Sequence, residues 1–367
     1  MTQKCMALLG RRDKPTDALE EYCRYLAESL ASHGFAMRIA RVSWDEQGWF
    51  KALSNLKNEA RDWRGSWVLL QYTALSWSRR GFPSRFLRVI KLLQQAGTHV
   101  AVVYHDVEPF GGRRIIDGVR RRSQLRTMRA AQRGNLAIFT VPTRVISWQP
   151  DSCCRHTFIP VGANFPEPMT AVGKESVSSE HVLTIAVFGV TGGAGGQGEM
   201  RAIAQAVRDA AHELGSLRLV VLGRNSETAE KDLLEALRDV PVELRVLGVL
   251  APEDVAQTLT QAHVLLFVRG GISTRRGSAI AGIACGLPVV AFAGPETAPP
   301  ITEAGLALYS REKTGDLSRE LIKVLSDSEY RGSLATRSRA AQREYFSWSA
   351  IAARYAEVLG EGAGHGL

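Results

Sequence analysis

No apolar run in this sequence approaches the roughly 18 uncharged residues that a membrane-spanning helix needs. The opening MTQKCMALLGRRDKPTD has too short an apolar core for a secretory signal, so a cytoplasmic protein is expected. Cysteine is scarce: Cys5, Cys23, Cys153, Cys154 and Cys285 are odd in number, scattered, and without C-x-x-C spacing. Free thiols are therefore expected, with no zinc ribbon, redox pair or disulfide framework. Histidine is equally dispersed, so no metal site and no cofactor is expected. Low-complexity tracts and repeats of fixed short period are missing as well.

What the chain does have is length and rhythm. With 367 residues and 45% hydrophobic content it can fill two cores. Short Val/Ile/Leu-rich runs alternate with helical patterns, as in parallel α/β layers. Strands are expected near Cys5 to Leu9, Phe35 to Val42, Trp67 to Tyr72, His99 to Tyr104, Leu136 to Val141 and Thr157 to Pro160. The stretch from Val161 to Glu180, rich in Pro, Gly, Ser and charge, lacks an apolar period and reads as a linker. The rhythm then restarts with LTIAVFG, LRLVVLG, VELRVLG, VLLFV and LPVVAF, and becomes purely helical after Tyr309. The expected division is a first Rossmann-like domain at 1–161, a linker at 162–181, a second Rossmann-like domain at 182–344, and a closing helix at 345–367 that packs back on the first domain.

The net charge of +9 points to an anionic partner. It is concentrated: between Gly111 and Gly134 stand eight arginines, no lysine and one acid, Asp117. If Arg120, Arg121, Arg122, Arg126 and Arg129 share a solvent face, an anionic membrane surface is one partner such a helix suits. A solvated face without a partner is the plainer alternative.

From Gly193 to Gly198 the stretch VFGVTGGAGGQG spells G-x-G-x-x-G. Glycines between a strand and a helix let backbone N–H groups reach a phosphate. A nicotinamide site also asks for an acid at the end of the next strand, where LRLVVLGRN offers Arg224. A loop without a ligand and an NADP-dependent oxidoreductase are the alternatives at this point. Further on, FVRGGISTRRGS precedes a small-residue helix. Arg275 and Arg276 stand at its start, which is already positive, so an anion is expected there unless both side chains turn to solvent. Ser273 or Thr274 is the expected cap.

The run VLLFVRGGISTRRGSAIAGIACGLPVVAF resembles the donor-site region of retaining nucleotide-sugar glycosyltransferases of family 4. Looser matches are LLGRRDKPTDALEEYCRYLAESLASHGF, VVYHDVEPF, FIPVGANFPEP and FSWSAIAARYAEVL. The resemblance implies two facing Rossmann-like domains (the GT-B fold) and metal-independent transfer from a nucleotide-diphosphate sugar. The acceptor is an unidentified glycan, glycolipid or small molecule, and no nucleic acid is expected. The family's two glutamates fall on Ser273 and Ala281, so both acids are absent. The resemblance gives His105 a place against the donor sugar, with Asp106 beside it; an ordinary strand-end histidine is the other reading.

Arg275 and Arg276 are then the candidates to neutralise the leaving diphosphate. Gly193, Gly195, Gly198, Arg224, Arg269, Ser273, Gly277 and Ser278 are the candidates for donor binding. Arg11, Arg12, Asp13 and Thr16 after the first strand, and Tyr72, Trp77, Arg79 and Arg80 after the third, are the candidates for the acceptor side, where open α/β sheets bind ligands. Trp77 also fits a core position. A GT-B-like protein that binds nucleotide or sugar without transferring it is the competing function.

Overall fold

The computed structural model describes residues 2–112, 114–166, 182–310 and 315–364. Arg113 and most of the expected linker, 167–181, lie outside them. The chain divides into two compact units, Met1–Val161 with Trp348–Leu367, and Gly162–Ser347.

The first unit holds a six-stranded sheet of β1 (Gln3–Leu9), β2 (Phe35–Arg41), β3 (Trp67–Tyr72), β4 (His99–Tyr104), β5 (Leu136–Phe139) and β6 (His156–Phe158), in the order β2-β1-β3-β4-β5-β6. Every pairing is parallel. β3 is buried at all six positions, as an uninterrupted apolar run covered on both faces must be. The second unit holds β7 (Leu183–Phe188), β8 (Leu217–Leu222), β9 (Val242–Gly248), β10 (Val264–Gly271), β11 (Val289–Phe292) and β12 (Leu306–Tyr309), also all parallel, in the order β12-β11-β10-β7-β8-β9. β12 escapes sequence reading because LALY is only four residues long and follows no turn signal beyond Gly305. In each sheet the chain reverses direction about its first strand, between β1 and β3 and between β7 and β10. Those are the points at which open α/β sheets leave a crevice at the carboxyl ends of the strands.

The closing helix runs over Trp348–Gly364, three residues later than its apolar period suggests, because Ser347 is extended. Ile351, Ala352, Tyr355 and Leu359 lie on one helical face and are wholly buried. They pack on the first unit: Tyr355 and Tyr22 share a hydroxyl hydrogen bond of 3.0 Å, Trp67 Nε1 donates to the Leu359 carbonyl at 3.0 Å, and Trp348 stacks on Tyr25 at 5.6 Å.

The arginine-rich helix covers Ile115–Ala131. Its five arginines do not share one solvent face. Arg120 turns inward, pairing with Asp117 at 2.8 Å, donating to the Arg80 carbonyl at 2.9 Å and covering the Phe110 ring. Arg129 donates to the Trp148 carbonyl at 3.3 Å. Arg122 and Arg126 do lie in an exposed stripe, below Ile115 and Val119, which are 94% and 55% exposed. Spacings of four, three and four residues put these four on one side of the helix.

Candidate functional site

In the second unit the reversal between β7 and β10 brings Gly189 and Arg269 together: a Cβ on Gly189 would lie 3.0 Å from Arg269 Nη1. The glycine loop follows β7 as a tight turn, Gly193–Gly196, feeding the helix Gln197–Leu214. Its glycines divide by cause. Gly193 has φ +68°, which side chains resist, and a Cβ on Gly196 would collide with the Thr191 carbonyl oxygen. Gly198 has nothing within 4 Å and Gly195 only Thr191 Cγ2 at 3.6 Å, so the fold requires glycine at neither. The helix has no side-chain cap; instead Glu199 of its first turn accepts from Thr191 N at 2.9 Å and Thr191 Oγ1 at 2.7 Å. Arg224 follows β8, half-buried, in a turn stitched to β7: its carbonyl accepts from Val190 N at 3.2 Å, and Asn225 Nδ2 donates to the Val190 carbonyl at 3.0 Å.

The two adjacent arginines part company. Arg275 gives Nε and Nη2 to the two oxygens of Glu296, at 2.7 and 2.8 Å, with the side chains 19% and 14% exposed. Ser273 Oγ donates to the same carboxylate at 3.1 Å. The anion expected from outside is thus supplied to Arg275 by the chain itself. Burial works to raise the Glu296 carboxyl, but the hydrogen bonds and charge of Arg275, the charge of Arg276 and the Ser273 hydroxyl outweigh it and hold it below the usual carboxylate range. Ser273 is fully buried, so it faces Glu296 rather than an open donor site, and it does not cap the helix. The helix Gly277–Ala284 begins instead at Arg276, without a side-chain cap and without an acid in its first turn. Arg276 and Ser278 are half-buried, and Gly277 has no heavy atom near its missing Cβ.

Sequence reading misses Glu296 because it sits 21 residues beyond Arg275 in a loop with no motif. Gly271 and Gly294 let that loop approach, since a Cβ on Gly271 would lie 2.6 Å from Gly294 Cα. Thr297 Oγ1 then fixes it, donating to the Ile272 carbonyl at 2.6 Å.

In the first unit, His105 follows β4 with Nε2 2.8 Å from Gln71 Oε1, and its ring meets Tyr22 edge-on at 5.1 Å. Gln71 Nε2 donates to Leu69 O, which leaves Oε1 as the acceptor and puts the proton on His105 Nε2. Asp106 Oδ2 accepts from Ala74 N at 2.8 Å, bracing the loop after β3. Arg11 and Thr16 are half-buried, while Arg12 and Asp13 are exposed, with Arg12 paired to Glu20 at 2.9 Å. Asp13 N donates to Asp17 Oδ2 at 3.4 Å, and Asp17 caps the helix Ala18–Leu30. Two of the acceptor-side candidates are buried. Tyr72 is fully buried, its hydroxyl pushed well up in pKa by burial and then by Asp106. Trp77, 1% exposed, is a core residue whose Nε1 donates to the Gln71 carbonyl at 2.9 Å. Arg79 and Arg80 are exposed in the same loop.

Residues 187–327, from the end of β7 through the Arg275–Glu296 pair, match the family model described as glycosyl transferases group 1. The second unit carries a group 1 glycosyltransferase domain. The literal G-x-G-x-x-G therefore lies inside this glycosyltransferase domain. A curated relative, a GDP-mannose-dependent monoacylated alpha-(1-6)-phosphatidylinositol monomannoside mannosyltransferase of Corynebacterium glutamicum, is 30% identical over 151 residues. That match spans 39% of this chain and 38% of the relative's length. Among solved structures, a glycosyltransferase from Rickettsia africae has a TM-score of 0.71 at 11% identity over 98% of both chains. Anabaena HepE in complex with UDP and glucose has a TM-score of 0.66 at 14% identity over 98% of this chain and all of that one. At such identities the likeness is one of fold, and the glycosyltransferase domain stands within a GT-B fold of two Rossmann-like halves.

Proposed function

We propose that this protein moves a sugar from a nucleotide-diphosphate donor to an acceptor hydroxyl, with retention and without metal, in glycan or glycolipid assembly. The observation that carries the reading is the convergence of Arg269, Arg276 and an uncovered glycine backbone on the carboxyl edge of one sheet, inside a matched glycosyltransferase domain. Departure of a nucleoside diphosphate builds negative charge on the leaving phosphates. Fixed guanidinium groups and backbone N–H donors stabilise that charge without reorganising at the moment of reaction. Arg276 and Arg269 supply the charge. The N–H groups from Gly195 to Gly198 and at Gly277 and Ser278 supply donors at two helix starts.

The named relative uses GDP-mannose on a lipid acceptor and HepE is seen with UDP, so guanosine and uridine sugars are the donors to try first. A cytoplasmic enzyme, peripheral at the inner face of the membrane through the helix Ile115–Ala131, completes the reading.

A panel of UDP- and GDP-sugars tests it. A true donor at a hundred times its dissociation constant raises stability by about 2.7 kcal/mol, and labelled sugar is released to water or acceptor with unchanged anomeric configuration and in the presence of EDTA. No shift and no release with any sugar nucleotide would overturn it. Serine and alanine at the family's two glutamate positions favour a second reading, a GT-B protein that binds without transferring. A thermal shift with no release of sugar would select it.

A further inference from the structure

The loops after β2 and β3 line an open cleft of about 720 Å³ within the first unit. Its walls include Trp44, Trp49 and Phe82, and Arg79, Arg80 and Arg85 line it as well. The two indoles stack with centroids 5.1 Å apart and planes 10° from parallel, and the Arg85 guanidinium lies 5.6 Å from the Trp49 ring centre. Trp44 is pinned by donation from Nε1 to the Ser76 carbonyl at 2.9 Å, while Trp49 stays half-buried.

The charge around this cleft is lopsided. All three arginines are exposed, and none of them is ion-paired among the described residues; Arg79 donates only to the Asp45 carbonyl, at 2.9 Å. Asp45 is the sole acid among the lining residues. The wall is held from behind, since Arg120 Nε and Gln124 Nε2 donate to the carbonyls of Arg80 and Gly81 at 2.9 and 3.0 Å. This frame is complete before any ligand arrives. Three guanidinium groups gathered without carboxylate partners repel one another unless an anion joins them, and guanidinium suits phosphate in paired hydrogen bonds. A half-exposed indole beside them offers an apolar face to a ring. The volume falls in the range of small-molecule sites.

We propose that this cleft binds a sugar or cyclitol ring carrying a phosphate, the ring against Trp49 and the phosphate among Arg79, Arg80 and Arg85, and that this molecule is the acceptor. Naming it the acceptor rests on the transferase reading; the binding does not. The phosphorylated ring arrives either free or as the headgroup of a lipid, and the exposed stripe of Ile115, Val119, Arg122 and Arg126 lies on the helix that braces the cleft wall.

Calorimetric titration of the full chain, with no donor present, compares inositol 1-phosphate and glucose 6-phosphate with inositol, glucose and inorganic phosphate. At least one phosphorylated ring is expected to bind about tenfold more tightly than either of its fragments, and the double variant R80Q/R85Q to lose about tenfold or more. Trp49→Ala should weaken the ring compounds and leave inorganic phosphate alone, with the thermal midpoint confirming the fold. Stabilisation by sugar nucleotide should be the same in all variants. Affinity no better than that of inorganic phosphate, or unchanged in R80Q/R85Q, overturns the proposal. Binding without turnover would fault the transferase reading and leave the site standing. Sedimentation with phosphatidylinositol vesicles separates the two sources: competition by inositol 1-phosphate and loss in R80Q/R85Q identify a headgroup, and sedimentation indifferent to both identifies a free phosphorylated ring.

Discussion

Arg275 grips both oxygens of Glu296, whereas Arg276 acts on that carboxylate through its charge and starts the helix Gly277–Ala284. Substituting them should therefore give different results. Arg276→Ala should lower kcat/KM by about 10²- to 10³-fold, on the order of 2 to 4 kcal/mol, with the thermal midpoint nearly unchanged. Arg275→Ala takes the two-pronged partner from a largely buried carboxylate and should lower the midpoint along with activity. Kinetics and melting on the same preparations check this. Because the folded Glu296 carboxyl is held below its unfolded value, its pairing stabilises the protein above about pH 4.5 and is lost as pH falls through the lower, folded value. In Glu296→Gln the thermal midpoint should accordingly depend less on pH from about 4.5 downward than in the unaltered chain. The glycines make a third contrast. Gly195→Val should weaken donor binding about tenfold at an unchanged midpoint, whereas Gly196→Ala should melt earlier, because only the latter meets backbone in the free protein. A titration with sugar nucleotide beside a melt separates the two.

The helix Ile115–Ala131 puts two kinds of attraction on one exposed stripe, apolar at its start and cationic further on. Near an anionic surface each arginine contributes about 1 kcal/mol, and salt screens it. Replacing Arg122 and Arg126 with Gln should thus reduce affinity for anionic vesicles by about thirtyfold, read by sedimentation. Ile115→Ser should weaken it by an amount that salt does not change. Equal recovery in the supernatant with and without anionic vesicles would remove membrane contact from the reading.

For the whole molecule, the chain returns at its end to complete its first unit. The helix Trp348–Gly364 buries Ile351, Tyr355 and Leu359 there, at about 1.5 to 3 kcal/mol for each large side chain. A chain ending at Ser347 should lose the first unit's unfolding transition or lower it steeply, while the second unit, with its own core around Ile203, Leu219 and Leu266, keeps its transition. Calorimetry of the two chain lengths, with limited proteolysis to assign the transitions, checks this. A first unit that melts as before would mean that the helix adds little.

Eleven of the twelve strands among the described residues, and the alternation that makes both sheets parallel, can be read from the sequence, because a strand covered on both faces must be a continuous apolar run and a crossover helix must show its own period. The glycine loop and the adjacent arginines are legible for the same reason: the chemistry of a turn and of a helix start is local. What the tertiary structure decided is which partners those residues find. Nothing in the spacing ties Glu296 to Arg275 or Tyr355 to Tyr22, and nothing puts Trp77 in the core while Trp49 opens on a cleft beside Arg85. Those outcomes depend on strand order and on loops that meet only after the sheets have formed, and long-range contacts of that kind leave no period in the sequence that makes them.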